Sequence, residues 1–421
     1  MNHRMNRTAY GIGILLSAWI GDTAFAADPA QPASAPDELT QALVAGTPYI
    51  DARYRYEFVD QDGLSKDAAA STLRTRFGYR TGAFKGFSGT LEIEDVSPIG
   101  AERYNDTING KTAYPVVADP DGTEINQAFV QFAGLPATTL KYGRQQLVRN
   151  NHRFIGDSGW RQNNQTFDAA TLTNASLPDT EIFYGYSYNV NRIFGDDSPV
   201  GDFNARIHMM DAAYSGLPFG RIFAYAYLLD IENSAANSSA TYGINFSGKT
   251  AIDADINLLY DLEYARQSDY ANNPTHYHAD YYRIEPGVGY GGFTAKAGYE
   301  VLGSDGGVIG FATPLATLHK WNGWADKFLT TPATGLQDIY GSVGYKVGGV
   351  NEWLDGATLA LIYHDFRNDK GGANFGTEWD FAVEQTIRKH YSVGLKFADY
   401  KADGFATDTT KLILSLGFKY N

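Results

Sequence analysis

The sequence contains no cysteine among its 421 residues. Disulfides, thiolate catalysis and cysteine-ligated metal sites are therefore excluded. The sequence also lacks an excess of positive charge, because 48 acidic side chains outnumber 34 basic ones and leave a formal net charge of −14. Such an acidic chain is a poor partner for nucleic acid, whose phosphates repel it. We therefore expect no nucleic-acid partner.

Long apolar runs are missing as well, apart from one near the N-terminus. Residues 9–20 are apolar, follow Arg4 and Arg7, and precede an A-x-A sequence at 24–26. A helix that spans a membrane needs about 20 apolar residues, so this run is too short. Its layout is typical of a cleavable export signal, and we predict a signal peptide over residues 1–26.

The rest of the chain shows a repeated alternation of apolar and polar residues. It begins after a Pro/Ala-rich stretch, which we predict to be part of a periplasmic tether over residues 27–46. In the segment 50–58, IDARYRYEF, apolar and aromatic residues fall on one face and charged residues on the other. Period-two alternation indicates a β-strand, because on a helix it would scatter the charges around the surface.

Eighteen such segments follow one another to the C-terminus. They lie near residues 48–59, 71–82, 86–95, 123–133, 137–146, 165–174, 180–190, 204–215, 218–230, 239–248, 252–266, 276–290, 292–302, 337–347, 357–367, 375–386, 389–400 and 410–420. Most are about ten residues long, the length that a tilted strand needs to cross a bilayer.

The connections between the segments alternate in length. If the first strand runs outward, the periplasmic connections are mostly short, whereas the outer ones include 96–122, 147–164 and 303–336. We therefore predict an all-β fold over residues 47–421, a transmembrane antiparallel β-barrel of about eighteen strands with short periplasmic turns and long extracellular loops. The alternative is a soluble β-sandwich or propeller, whose apolar rows would pack against a second sheet.

The first two strands direct a row of arginines toward the predicted lumen. This arginine ladder consists of Arg53, Arg55, Arg74, Arg76 and Arg80. Neighbouring strands lie about 5 Å apart, so the guanidinium groups would form one cationic surface that suits a polyanion. In the alternative interpretation, nearby acidic residues pair with these arginines and only hold the wall together. Those residues are Asp51, Glu57, Glu92 and Glu94.

Other motifs in the chain are incomplete. His276 and His278 supply two metal ligands without a third, and the DPDG sequence at 119–122 lacks the spacing of a calcium loop. The glycine-rich stretch 287–292 lacks the strand–helix context of a phosphate-binding loop and coincides with a predicted turn. No catalytic triad can be assigned from the sequence. We therefore expect no enzymatic activity, no metal and no cofactor.

Three longer blocks resemble one known family. Residues 143–169 (GRQQLVRNNHRFIGDSGWRQNNQTFDA), 188–198 (YNVNRIFGDDS) and 311–328 (FATPLATLHKWNGWADKF) resemble the alginate-export family of outer-membrane porins. The resemblance extends over most of the barrel. It implies an eighteen-stranded monomer in the bacterial outer membrane, with an arginine-rich channel for an anionic polyuronate, an oligosaccharide or a small anion. The matching residues are Arg144, Arg153, Arg161 and Arg192, with Asp168 as a partner.

The segment 147–164 is expected either in an outer loop or folded into the lumen. It carries Arg149 and Trp160 besides two of the family arginines. Arginines could hold carboxylates while the indole stacks on a sugar ring; alternatively the loop is held in shape by its own hydrogen bonds. The predicted substrate path is Arg53, Arg55, Arg74, Arg76, Arg80, Arg144, Arg149, Arg153, Trp160, Arg161, Asp168 and Arg192. The competing hypotheses are an outer-membrane enzyme and a closed structural or adhesive barrel.

Overall fold

The computed structural model describes residues 37–420. The predicted signal peptide and the first part of the predicted tether lie outside these residues. The last part of the tether segment contains a short helix, α1 (Glu38–Val44), which is followed directly by the first strand. Among the described residues, no helix is long and apolar enough to cross a membrane.

Eighteen strands form one closed antiparallel sheet in which each strand pairs with its neighbours in sequence and the last pairs with the first. They are β1 (Thr47–Gln61), β2 (Ala68–Arg80), β3 (Phe87–Pro98), β4 (Gly122–Leu135), β5 (Thr138–Gln145), β6 (Thr166–Asn174), β7 (Thr180–Asn191), β8 (Asp202–Leu217), β9 (Gly220–Ile231), β10 (Ser239–Ala251), β11 (Ile256–Asp269), β12 (His278–Tyr290), β13 (Phe293–Leu302), β16 (Leu336–Lys346), β17 (Thr358–Arg367), β18 (Asn374–Ile387), β19 (Tyr391–Ala402) and β20 (Thr409–Tyr420). The predicted barrel and its eighteen strands are confirmed, and the sandwich alternative is wrong.

The alternation seen in the sequence separates the two faces of this sheet. On β20, Leu412 and Leu416 are 40% and 44% exposed, whereas Lys411 and Ile413, the two neighbours of Leu412, are buried. Exposed apolar side chains recur in this way on the outer faces of the other strands. The outer surface is therefore the apolar band that contacts lipid, and many charged residues of the strands face inward.

The two ends of the barrel differ in their connections. At one end the connections include two-residue turns, and both ends of the described barrel chain lie there. The other end carries the connections 99–121, 146–165 and 303–335. Short turns mark the periplasmic end of such barrels and long loops the extracellular end. The longest connection contains a two-residue hairpin, β14 (Ser304–Asp305) and β15 (Ile309–Gly310), and a 3-10 helix at Leu318–Lys320. A second 3-10 helix lies at Glu232–Asn237, between β9 and β10.

The hydrophobic core lies inside the barrel, where two of the long connections fold against the inner wall. We call residues 146–165 inward loop 1 and residues 303–335 inward loop 2. The Phe154 ring of inward loop 1 lies 5.3 Å from Tyr225 and Tyr281 of the wall and 5.8 Å from Phe311 of inward loop 2. Phe328 of inward loop 2 packs on the wall in the same manner. Buried aromatic contacts of this kind fix the loops within the lumen.

Candidate channel lumen

The two inward loops are joined to each other by backbone hydrogen bonds. The amide of Gly156 donates to the carbonyl of Leu315 over 2.8 Å, and the amide of Thr317 donates to the carbonyl of His152 over 3.1 Å. A Cβ atom at Gly156 would overlap the side chain and backbone of Thr317, so only glycine allows this close approach. The loops thus form one bridge across the lumen.

Buried ion pairs attach inward loop 1 to the wall. Arg149 forms two hydrogen bonds with Asp211, of 2.8 and 2.5 Å, and Arg153 lies 2.8 Å from Glu300. Asn150 accepts a hydrogen bond of 2.9 Å from Arg221, the second residue of β9, whose start lies at the periplasmic end. Inward loop 1 therefore descends deep into the barrel. Of the two positions expected for the segment 147–164, an outer loop or a loop folded into the lumen, the structure shows the second.

Inward loop 2 is attached to the wall partly through its backbone. The amides of Trp324 and Ala325 donate to the carboxylates of Asp380 and Glu378 over 3.2 and 2.6 Å. Gly323 precedes them with φ +85°, and a Cβ there would collide with the Glu378 carboxylate. This connection was expected among the extracellular loops, and no pattern in the sequence predicts its position in the lumen.

One cluster, which we call the Arg161 junction, links both loops to the neighbouring strands β1 and β20 of the wall. It consists of Glu57, Arg161, Asp326 and Lys411. The Arg161 guanidinium lies 3.1 Å from the Glu57 carboxylate and 3.2 Å from that of Asp326, and Lys411 lies 2.5 Å from Asp326. Burial opposes the charge on Arg161, but the carboxylates, above all Glu57, outweigh it and raise the pKa of Arg161. Arg161 therefore remains charged.

Trp160 is packed among three polar side chains. His319 stacks on its ring at 3.9 Å, the Arg55 guanidinium lies 4.3 Å from its centroid, and Lys396 lies 4.1 Å from it. Burial lowers the pKa of His319 to about 3, so the stacked imidazole is neutral at physiological pH. A sugar ring could stack on Trp160 only by displacing one of these groups. The arrangement shows Trp160 as a packing residue of the bridge.

Most of the arginine ladder is paired with carboxylates. Arg74 forms an ion pair with Asp51, and Arg76 forms one with Glu94. Arg55 lies 3.4 Å from Asp119, a residue of the connection 99–121. These pairs match the alternative interpretation, in which acidic neighbours compensate the arginines. Asp119 thus belongs to a buried ion pair and not to a calcium loop.

Arg53 differs from its neighbours on the ladder. It donates to the side chain of Gln162 over 3.0 Å and to the carbonyls of Gly159 and Arg161, all of them neutral acceptors. Within residues 37–420 no carboxylate lies in ion-pair range of Arg53. Arg80, at the periplasmic end of β2, is exposed and lies over the Tyr49 ring at 4.7 Å. The ladder therefore retains uncompensated charge at Arg53 and Arg80.

The structure corrects the expected position of Arg144 and Asp168. These residues are paired in register on β5 and β6, and their side chains form two hydrogen bonds of 2.8 and 3.2 Å. Strand alternation puts Arg144 on the same face as Tyr142, whose side chain is 64% exposed on the outside of the barrel. No bulge in the β4–β5 pairing reverses this alternation between the two residues. The pair therefore lies on the outer face near the extracellular rim and not in the lumen.

Arg192 follows the end of β7 at the extracellular entrance. It donates to the carbonyl of Val200 over 3.0 Å and lies 4.2 Å from the Phe203 ring. No ion pair of Arg192 with a described carboxylate is found. Burial lowers the pKa of Arg192 to about 10, which leaves it charged at physiological pH.

Two cavities lie on either side of the bridge and have an excess of cations. A further cavity of about 380 Å³ beside the bridge has no such excess, because it is lined by three cations and four carboxylates: Arg283, Lys296, Lys320, Asp261, Glu285, Glu300 and Asp338. The upper cavity, about 580 Å³, opens among the extracellular connections and is bounded below by Arg161, Asp326 and Lys411. The lower cavity, about 400 Å³, is lined by Arg53, Trp160, Lys396 and residues near the periplasmic turns. The successive residues Trp160 and Arg161 separate the two cavities, so this part of the bridge is the constriction of the channel.

Three cations of these cavities were missing from the predicted path. Lys396 lies between outward Leu395 and Phe397 on β19, and Lys411 precedes outward Leu412 on β20. The alternation of the two strands therefore predicts an inward side chain for both lysines. Lys327 lies in inward loop 2, and nothing in the sequence placed that loop in the lumen. Among residues 37–420 no group of three or more acidic or histidine side chains is arranged to hold a metal ion.

The model of a family described as alginate export matches residues 49–299, more than half of the chain. Among solved structures, Pseudomonas aeruginosa OpdK with vanillate is 15% identical to this chain with a TM-score of 0.68. The match covers 90% of this chain and 99% of the OpdK chain. Acinetobacter baumannii OccAB4 is 13% identical with a TM-score of 0.69, and the match covers 91% of this chain and 100% of the OccAB4 chain. At such identities the similarity shows a shared fold. No curated protein matches the chain in sequence.

Proposed function

Since the chain belongs to the alginate export family and is a porin of the bacterial outer membrane, we propose that its lumen selects anions. The solutes would be an acidic glycan, its oligomers or a small organic anion. A closed barrel completes its pore within one chain, and the assembly we propose is a monomer. The observation that carries the proposal is the excess of cations in both cavities.

This excess is local and opposes the overall charge of the chain, which is −14. The upper cavity is lined by four cations and one carboxylate: Arg161, Arg192, Lys327, Lys411 and Asp326. The lower cavity is lined by three cations and one carboxylate: Arg53, Arg55, Lys396 and Glu384. Cavities with this balance concentrate anions and repel cations.

The uncompensated cations contribute most to this selectivity. Within residues 37–420 neither Lys327 nor Arg53 forms an ion pair, and Lys396 lies 3.9 Å from Glu384, which is 58% exposed. At a separation of about 6 Å in water, one unit charge changes the energy of an ion by about 0.7 kcal/mol, which is a roughly threefold change in occupancy. The charges of the predicted path residues Arg74 and Arg76 are compensated by their carboxylate partners, so we expect them to contribute less to the anion selectivity.

Charge reversal at Lys396 tests the proposal. Lys396→Glu changes the lower cavity by two charges, so the chloride-to-potassium permeability ratio in planar bilayers should fall about tenfold. Lys401→Glu is the matched control, because Lys401 lies on the same strand with its side chain outward and 57% exposed. Its permeability ratio should equal that of the wild type.

Three results would contradict the proposal. A ratio that stays unchanged in Lys396→Glu would remove Lys396 from the path. A wild type that prefers potassium would refute anion selectivity. A folded barrel without any conductance would favour the closed structural or adhesive barrel. Heat-modifiable migration of each variant on gels shows whether the barrel has folded.

A further inference from the structure

The upper cavity has a second property besides its charge, namely an apolar wall. Apolar side chains make up about half of its lining, including Tyr114, Val116, Ile193, Phe194, Leu318 and Leu329. Val116 and Leu329 are 50% and 40% exposed, although both lie in an inner surface of the barrel entrance. Apolar surface of this kind gains free energy when a ligand covers it.

We propose that the upper cavity is a binding site for a small amphipathic anion, a carboxylate with an apolar body, and not an entrance for a polyuronate chain. The inference rests on the proposed anion selectivity and narrows it to one class of solute. A volume of about 580 Å³ suits a single small molecule.

The cations of the cavity provide the place for the carboxylate. Lys327 and Arg192 have no carboxylate partner in ion-pair range among the described residues; Arg192 donates to a carbonyl at 3.0 Å and lies over the rings of Phe194 and Phe203. The only acidic residue of the lining, Asp326, already accepts hydrogen bonds from His319, Arg161 and Lys411. A ligand carboxylate therefore finds two available cations and little repulsion.

The apolar wall argues against a sugar polymer. A uronate residue carries hydroxyl groups around the edge of its ring, and each hydroxyl that loses water without a new hydrogen bond costs free energy. Val116, Phe194 and Leu329 offer no such bond from their side chains. An apolar ring or short alkyl group fits the same surface without this cost.

The constriction is a second argument against a sugar polymer. A threaded chain would have to occupy the upper cavity, the constriction and the lower cavity at once. The Arg161 junction and the backbone bond between Gly156 and Leu315 close the centre of the lumen between the two cavities. A small anion needs only the space beside the bridge, whereas a polymer would require the bridge to leave.

Two probes of equal charge and ring size separate the alternatives. Cyclohexanecarboxylate and glucuronate each carry one carboxylate on a six-membered ring, but only glucuronate carries hydroxyl groups on it. Concentration-dependent block of the single-channel current, with probe added on the extracellular side, gives the dissociation constant of each. We expect cyclohexanecarboxylate to bind about tenfold more tightly than glucuronate, and a tetra-uronate to bind no better than glucuronate.

Variants locate the site. Lys327→Gln should weaken the binding of cyclohexanecarboxylate about tenfold, because the substitution removes a charge-assisted hydrogen bond to the carboxylate. Leu329→Ser should reduce the difference between the two probes. Lys370→Gln is the control, because Lys370 lies in another extracellular loop, where it pairs with Asp369, and does not line the cavity.

Each outcome bears on one of the two proposals. Equal affinity for the two probes, tighter binding of the tetra-uronate, or wild-type affinities in both Lys327→Gln and Leu329→Ser would overturn the inference. The anion selectivity of the barrel would survive these results. A wild-type preference for potassium over chloride would instead refute the proposed function itself.

Discussion

Replacing Arg161 by methionine removes the central cation of the constriction while keeping a side chain of similar length. Arg161 is 8% exposed, and its partners Glu57 and Asp326 are 0% and 7% exposed in their side chains. The substitution leaves two buried carboxylates with Lys411 as their shared cation. It therefore tests whether ion pairing holds the two inward loops together.

The expected loss follows from the burial of these groups. Removing one partner of a buried ion pair costs about 3–5 kcal/mol, because the remaining charge has neither its partner nor water. Each 1.4 kcal/mol is a tenfold change in an equilibrium constant. The fraction of molecules with detached loops should therefore rise by about two to four orders of magnitude.

Single-channel recording and limited trypsin digestion measure this change. Arg161→Met should show a higher and more variable conductance, and faster cleavage at Arg149 and Arg153 of inward loop 1. Arg206→Met serves as the control, because that arginine is 59% exposed on the outer face. Adding Glu57→Gln to Arg161→Met should restore part of the loop order. Unchanged conductance and cleavage in Arg161→Met would refute the reasoning.

Two further predictions concern the loop contact and the upper cavity. Gly156→Ala forces a Cβ atom into Thr317, and overpacking of this kind costs about 1–3 kcal/mol; amide hydrogen exchange in both inward loops should accelerate while that of the strands stays constant. Burial, with repulsion from Lys411, lowers the pKa of Lys327 to about 8, so this lysine loses its charge as the pH rises from 7 to 9. Cyclohexanecarboxylate affinity should then fall up to about tenfold in the wild type and stay nearly constant in Lys327→Gln, with Arg192 keeping most of its charge. Equal pH dependence in both proteins, or unchanged exchange in Gly156→Ala, would contradict these predictions.

The barrel was predictable from the sequence because its strands obey a local rule. Each strand has lipid on one side and the lumen on the other, so every second residue reports its face. The segment that ends in Arg144 was placed correctly as a strand, but Arg144 itself lies on the outer face and not in the predicted path. The structure explains this by Asp168, which pairs with Arg144 at the rim.

The constriction was not predictable, because its contacts join distant parts of the chain. Arg55 pairs with Asp119, and Arg161 pairs with both Glu57 and Asp326; none of these pairs is close in sequence. The family blocks marked inward loop 1 as important, but they did not show that Trp160 is covered on its ring. The sequence could not show which cations lack a carboxylate partner, because the partners are distant in the chain.

The central claim is that this outer-membrane barrel selects anions, and the reversal potential of the wild-type chain tests it most directly. The full chain is inserted into a planar bilayer with a tenfold gradient of potassium chloride. We predict a reversal potential with the sign of chloride preference. A potential with the sign of potassium preference would contradict the account.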